Sequence, residues 1–173
     1  MPIREESFKI GCGRYIQGEG YIKKCGEEVL RLGSAPLIIG DATTLKIAQD
    51  SILASVSEAC KKYEIAVHNG NCNEIDAKTL AERAVKKGYD VIIGVGGGVL
   101  MDFAKLCADF AGVRVINIPT SSATCASYAS ISVCYTQEPS DFAASKNFLC
   151  VGAMSFLYVS RDMKSPLSVA TSS

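Results

Sequence analysis

Histidine is almost absent from this chain. With His68 as its single copy, a catalytic zinc site with two or three histidine ligands cannot be built from the chain alone. Net charge is absent as well. Eighteen Lys and Arg balance eighteen Asp and Glu, so there is no overall field to draw in nucleic acid or an anionic membrane. No apolar run reaches the ~18 residues that a membrane span needs. The eight cysteines, at 12, 25, 60, 72, 107, 125, 134 and 150, never stand at CxxC spacing, which excludes a zinc ribbon and a thioredoxin-type motif. There is no internal repeat.

What the chain has is apolar residue content. Of its 173 residues 48% are hydrophobic and 21% charged, and mean hydropathy is +0.19, which excludes intrinsic disorder. That length predicts one full domain, or one plus a fragment, burying about 70% of its unfolded surface. The opening MPIREES is polar and charged and does not predict a signal peptide. Cysteines such as Cys60 and Cys107 fall at apolar positions of periodic segments. They are expected to be reduced thiols acting as small buried hydrophobes in a cytoplasmic protein.

Two periods alternate along the chain. Phe8 to Ile10 and Arg14 to Ile16 read as short strands, and about Glu19 to Leu32 as a helix with Ile22, Cys25, Val29 and Leu32 on one face. Leu37 to Ile39 is a short buried strand, about Thr43 to Tyr63 a helix, and Ile65 to Val67 a third apolar run. Asn73 is a good N-cap for a helix from Glu74 to Lys87, which Gly88 terminates. Val91 to Ile93 leads into glycine-rich residues 94–98, a helix from about Leu100 to Ala111, and a strand-like run from Val113 to Ile118. Strand and helix in alternation predict βαβ units on a parallel sheet, with ligands gathering beyond the carboxyl ends of the strands. The loops at Gly40-Asp41, Asn69 to Asn73, Gly94 to Gly98 and from Pro119 onward are therefore the ones to inspect. After about Glu138 the pattern loosens. Phe148 to Val151 and Phe156 to Val159 have strand character, and Ser165 to Ser173 reads as a frayed tail.

Three features carry chemistry. The first is Gly94-Val95-Gly96-Gly97-Gly98, with Asp102 and Lys105 in the helix that follows. Glycines let a phosphate approach backbone N–H groups, and the helix N-terminus adds a favourable dipole. The same stretch also fits a plain tight turn. Val99 stands where GxGxxG would have its last glycine, and no Gly-Lys-Ser/Thr follows, so neither nucleotide-loop motif is matched in full. Asp102 and Lys105 are expected to support the loop. The second is Asp41, just past a strand. Its carboxylate can accept from ribose hydroxyls, repelling a 2′-phosphate, or cap the next helix, and the two roles are compatible. The third is Pro119 to Cys125, a hydroxyl-rich stretch suited to a nucleotide or to an ordinary capped turn.

Taken together these residues resemble the glycerol dehydrogenase branch of the iron-containing (group III) alcohol dehydrogenases. The resemblance rests on Gly13-Arg14-Tyr15-Ile16-Gln17-Gly18, Leu37-Ile38-Ile39-Gly40-Asp41, Gly94 to Gly98 with Asp102 and Lys105, and Pro119-Thr120 through Ser132-Val133-Cys134-Tyr135-Thr136. It implies an α/β fold, a parallel-sheet Rossmann-like domain of the dehydroquinate synthase-like kind, followed in the complete family by an all-helical domain. It implies NAD as cofactor. The contacts would fall on Asp41, on Gly96, Gly97 and Gly98 running toward Asp102, on Thr120, Ser121, Ser122, Ala123 and Thr124, and on Ala129, Ile131 and Tyr135. Where the family has a substrate-binding aspartate this chain has Cys125, which argues against glycerol itself as substrate. The family's divalent metal, zinc or iron, is held by an aspartate and two histidines of the helical domain. His68 matches neither histidine and reads as a surface or capping residue.

The expectation is an NAD-binding α/β domain over residues 1–138 and a divergent or truncated, partly extended segment over 139–173. The chain would be the NAD half of a metal-dependent polyol or alcohol dehydrogenase, without turnover alone. Its partners would be NAD(H) and a small alcohol, in a homo-oligomer, with no nucleic acid and no membrane. The alternative is a non-catalytic nucleotide-binding or self-associating module.

Overall fold

The computed structural model describes residues 13–18, 20–121 and 123–135, together with strands at Lys146–Leu149 and Met154–Tyr158. The expected strand at Phe8 to Ile10, the tail at 165–173 and Ser122 lie outside the described residues. The elements are β1 (Arg14–Gln17), a 3-10 turn (Tyr21–Lys24), α1 (Cys25–Leu32), β2 (Pro36–Gly40), α2 (Ala42–Ala59), β3 (Glu64–Val67), α3 (Glu74–Lys86), β4 (Val91–Gly96), α4 (Gly98–Ala111), β5 (Arg114–Pro119), β6 (Ile131–Cys134), β7 (Lys146–Leu149) and β8 (Met154–Tyr158).

Six strands form one parallel sheet in the order β1-β8-β5-β4-β2-β3. β6 and β7 pair antiparallel as a separate ribbon. β2 and β4 are buried along their whole length, as continuous Ile/Val/Leu runs in a doubly covered sheet should be. Alternation along β2 splits the core. Leu37 and Ile39 pack with α3 and α4 through Ala77, Phe103 and Leu106. Ile38 packs on the other face with α1 and α2 through Val29, Ile52 and Val56. From β2 the chain moves outward through α2 to β3; from β4 it moves the other way through α4 to β5. Right-handed crossovers running in opposite directions put their helices on opposite faces, as found, and leave a crevice where the directions part, between the carboxyl ends of β2 and β4.

Several boundaries differ from the periodic reading, each for a local reason. The first helix is replaced by a 3-10 turn and a shorter α1, with Gly20 left-handed at φ 68° ahead of the turn. α2 ends at Ala59 rather than Tyr63, because Cys60 is already extended on the way into β3. Gly94 and Gly96 belong to β4, and α4 begins at Gly98 instead of Leu100. β8 (Met154–Tyr158), overlapping the stretch with strand character from Phe156 to Val159, lies inside the sheet, bridging β1 and β5.

Five of the six described cysteines are buried and none is in a disulfide, as read from the sequence. Burial pushes the Cys25 thiol up to about 12, which makes it inert as a nucleophile.

Asp90 closes the turn before β4. Its carboxylate accepts from Ser34 N and Oγ and from Ala35 N at 2.7 to 3.0 Å. Partial burial pushes its pKa up, but these bonds from Ser34 and Ala35 outweigh burial and hold it below the ordinary carboxylate value. A depressed folded-state pKa contributes stability that is present above the unfolded value, about 3.9, and lost as pH falls through the folded one. Asp90→Ala is expected to cost about 1–3 kcal/mol at pH 7. Urea melts at pH 7 and pH 2.5 should show that deficit shrinking in acid.

Candidate functional site

The crevice is built by register. Gly40 of β2 pairs with Val95 of β4 on one side and Val67 of β3 on the other. Asp41, Gly96 and His68 therefore stand one residue beyond the same rung, at the carboxyl edge. A groove of about 430 Å³ opens there, lined by Asp41, Thr43, His68, Asn69, Gly70, Asn71, Gly97, Gly98, Val99 and Leu100.

Two helix N-termini meet this groove, and they differ. At α2 the orphan amides are taken: Asp41 Oδ1 accepts from Thr43 N and Thr44 N at 2.8 Å each, and Asn69 Oδ1 from Ala42 N at 3.2 Å. Thr44 Oγ1 lies 3.2 Å from Asp41 N, completing a capping box, and 3.0 Å from the Val95 carbonyl. Asp41 is thus a cap, and its cap uses one oxygen; among the described residues Oδ2 takes no partner. At α4 the N-cap is Gly97, and no side chain caps the helix. The amides of Gly98, Val99 and Leu100 head the helix with no carbonyl one turn earlier to receive them. A Cβ built on Gly97 meets nothing within 4 Å, so the backbone there is open to the groove. The donors and the dipole of α4 suit an anion, whereas α2 has already spent its own on Asp41.

The third wall follows β5. Thr120 N donates to the Gly96 carbonyl at 2.9 Å, and Thr124 lies against Gly98, its Oγ1 only 2.9 Å from where a Cβ would stand. Ser121 and Ala123 are exposed, and Ala123 N donates to Ser121 Oγ at 3.3 Å. Cys125 is exposed, and its carbonyl accepts from Tyr128 N and Ala129 N. Ile131 and Tyr135 are each 45% exposed, and Tyr135 N donates to the Cys72 carbonyl at 2.7 Å, beside the loop that follows β3.

The structure thus brings Asp41, Gly97 and Gly98 into one groove, with Thr120 and Thr124 adjoining the glycine turn. It does not bring Asp102 there. Asp102 is buried on α4, with Oδ1 2.8 Å from Lys105 Nζ and Oδ2 accepting from Val133 N at 3.2 Å. Gly96 ends β4 with φ 156°, a conformation only glycine tolerates readily, and shapes the turn without lining the groove. His68 is the residue that sequence reasoning undervalued. Its ring stacks on Phe103 at 3.7 Å and 3°, its Nε2 is 3.1 Å from the Asn71 carbonyl, and with Asn69 and Asn71 it forms a groove wall. The signal was its place in the turn after a strand at the ligand-bearing sheet edge.

Among the described residues no group of three or more His, Cys, Asp or Glu side chains is placed to hold a metal, and no helix is long and apolar enough to cross a membrane. The described residues therefore offer no ligand set for a divalent metal.

Sheet order, opposed crossovers and a groove at their parting define a doubly wound, Rossmann-like α/β domain. Within that class, the family model for iron-containing alcohol dehydrogenase matches residues 12–152, and the chain belongs to that family. It is 35% identical over 126 residues to a glycerol dehydrogenase of Pseudomonas putida and 36% identical over 126 residues to one of Escherichia coli O6:H1, covering 73% of this chain and 34% of each relative. The chain therefore spans about a third of the length of these relatives. Its fold matches the crystal structure of glycerol dehydrogenase from Schizosaccharomyces pombe with TM-score 0.76 at 23% identity, over 90% of this chain and 39% of that one.

Proposed function

We propose that the groove holds the ADP part of NAD(H), and that the chain supplies the nucleotide-binding portion of a metal-dependent dehydrogenase acting on a small alcohol or polyol. The observation that carries this reading is the uncapped N-terminus of α4, open at Gly97, in the same groove as Asp41. The pyrophosphate would accept from the amides of Gly98 and Val99. The adenosine ribose would donate to Asp41 Oδ2, which the cap leaves unused among the described residues. Thr120, Ser121, Ala123, Thr124 and Cys125 would line the path toward the nicotinamide, with Ala129, Ile131 and Tyr135 beyond. When bound, NAD supplies the acceptor for a hydride from the alcohol carbon. This chain's own residues bind and orient that acceptor. At the position where the family carries a substrate-binding aspartate, Cys125 offers a thiol, which cannot accept two hydroxyl protons as a carboxylate does. An alcohol with fewer hydroxyls than glycerol fits it better.

Fluorescence titration of NADH and NADPH on the full chain tests the reading. Asn caps a helix as well as Asp does, so Asp41→Asn should hold stability within about 0.5 kcal/mol of wild type. Removing the carboxylate removes its repulsion of a 2′-phosphate. The preference for NADH over NADPH should narrow by about tenfold, roughly 1.4 kcal/mol. Wild-type chain that binds neither dinucleotide, or an unchanged preference in the variant, would count against the assignment.

A further inference from the structure

We infer that Lys105 is a positioning residue: by clamping the backbone at Ala129 and Ile131 it holds the strap that follows β5 over the glycine turn of the cofactor groove. This rests on the nucleotide reading above for its consequence, though not for its geometry. Lys105 has no exposed surface, which is exceptional for lysine. An ammonium carries three N–H donors, and here three acceptors surround it: Asp102 Oδ1 at 2.8 Å, the Ala129 carbonyl at 3.1 Å and the Ile131 carbonyl. Asp102 is in turn occupied on its second oxygen by Val133 N at 3.2 Å. The pair thus binds three successive alternate residues, 129, 131 and 133, to α4.

A buried ion pair in a core is a poor source of stability, because desolvation of both charges opposes their attraction. An apolar pair would pack there at least as well. What the charges add is direction: they reach backbone carbonyls and an amide that no apolar side chain can hold. The clamped segment is one end of the strap. The other end is fixed by Thr120 N on the Gly96 carbonyl at 2.9 Å. Between the two anchors, Thr124 rests against Gly98, and Asn117 Nδ2 donates to the Ser127 carbonyl at 3.3 Å. The strap is therefore suspended beside the head of α4, and Lys105, two turns further along the same helix, sets its far end. Asp41, Gly97 and Val99 do not touch the clamp, and Gly98 meets the strap only through Thr124, close to the end anchored by Thr120, so loosening the far end should impair the nicotinamide end much more than the ADP end.

The test uses the full chain with two variants, Lys105→Met and Lys105→Met combined with Asp102→Asn. The second leaves no unpaired buried charge and keeps an amide oxygen for Val133 N, so it carries the test if the first fails to fold. Peptide-level hydrogen exchange should show amides over residues 123–133 opening about tenfold faster, with β2 and β4 unchanged. NADH affinity should fall about tenfold while ADP affinity stays within about twofold. Unaltered exchange in the strap, acceleration spread evenly over the sheet, equal loss for NADH and ADP, or an unfolded double variant would each overturn the proposal. If wild type binds neither nucleotide, the nucleotide reading fails, and the exchange contrast alone still decides whether Lys105 is the clamp.

Discussion

Gly97→Ala is expected to leave the fold intact and to weaken NADH and ADP binding by about a hundredfold. Gly97 has φ −87° and ψ −171°, extended backbone that alanine adopts without strain. Its added Cβ would meet nothing within 4 Å. The unfolded chain loses freedom when glycine becomes alanine, so stability should hold or rise by about 0.4–1 kcal/mol. The empty space around that Cβ is groove, however, and it is where a pyrophosphate must come within hydrogen-bonding distance of the Gly98 and Val99 amides. A methyl group there holds the phosphate off. Losing two charge-assisted bonds of about 1.5–3 kcal/mol each, with partial compensation by water, gives the hundredfold figure. The neighbouring glycines do not separate binding from folding in this way. At Gly96 the φ of 156° strains any side chain, and at Gly98 a Cβ would press on Thr124. Thermal melts together with NADH and ADP titrations check this prediction. Wild-type affinity in Gly97→Ala would remove the pyrophosphate from the head of α4.

The same residues show which parts of the fold a sequence carries on its face. Leu37 to Ile39 and Val91 to Ile93 are continuous apolar runs because β2 and β4 are covered on both faces, and that is a local signal. Asn73 announces α3 because a cap and its first turn lie side by side in the chain; its side chain accepts from Asp76 N at 2.8 Å. Neighbourhood in the sheet is not local. Asp41 and Gly97 share a groove because β2 and β4 pair, although the intervening α2, β3 and α3 separate them in sequence. Alternation of strand and helix puts both loops at the carboxyl edge of a parallel sheet, but that β2 and β4 are neighbours there is not a local signal. β8 illustrates the limit. Its place between β1 and β5 is set by pairing with strands far back in the chain, and nothing in the pattern after Glu138 encodes that. The clamp was half legible. The i, i+3 spacing of Asp102 and Lys105 puts both on one face of α4, but the carbonyls they reach lie 24 and 26 residues on from Lys105. His68 escaped because a lone histidine has no motif; the stacking on Phe103, which joins the end of β3 to α4, and the contact of Nε2 with the Asn71 carbonyl give it a fixed place in the wall.

Gly94→Ala should have the opposite profile to Gly97→Ala, a large loss of stability from an equally small change. Gly94 sits in the middle of β4, paired with Ile39 on one side and Asn117 on the other. A Cβ there would lie 2.4 Å from the Cβ of Ala104 in α4 and 3.3 Å from Asn117 Oδ1. Neither neighbour is a flexible side-chain end: the first is fixed to a helix backbone, the second is fully buried. Relief requires α4 to lift from the sheet, disturbing Phe103 and Leu106 in the core beneath it. Overpacking of this kind costs about 3 kcal/mol, roughly 6–12 °C in Tm for a domain of this size. The cause can be isolated with a second substitution. Ala104→Gly alone should cost about 1 kcal/mol through helix propensity. Combined with Gly94→Ala it removes the clash, so the double variant should be more stable than Gly94→Ala by about 1 kcal/mol or more, a coupling of at least ~2 kcal/mol. Urea denaturation of the four proteins measures that coupling. Strict additivity would mean that the close approach of α4 to β4 is not what glycine at 94 protects. The α4 N-terminus would then owe its position over the groove to its other contacts, with Gly94 a bystander.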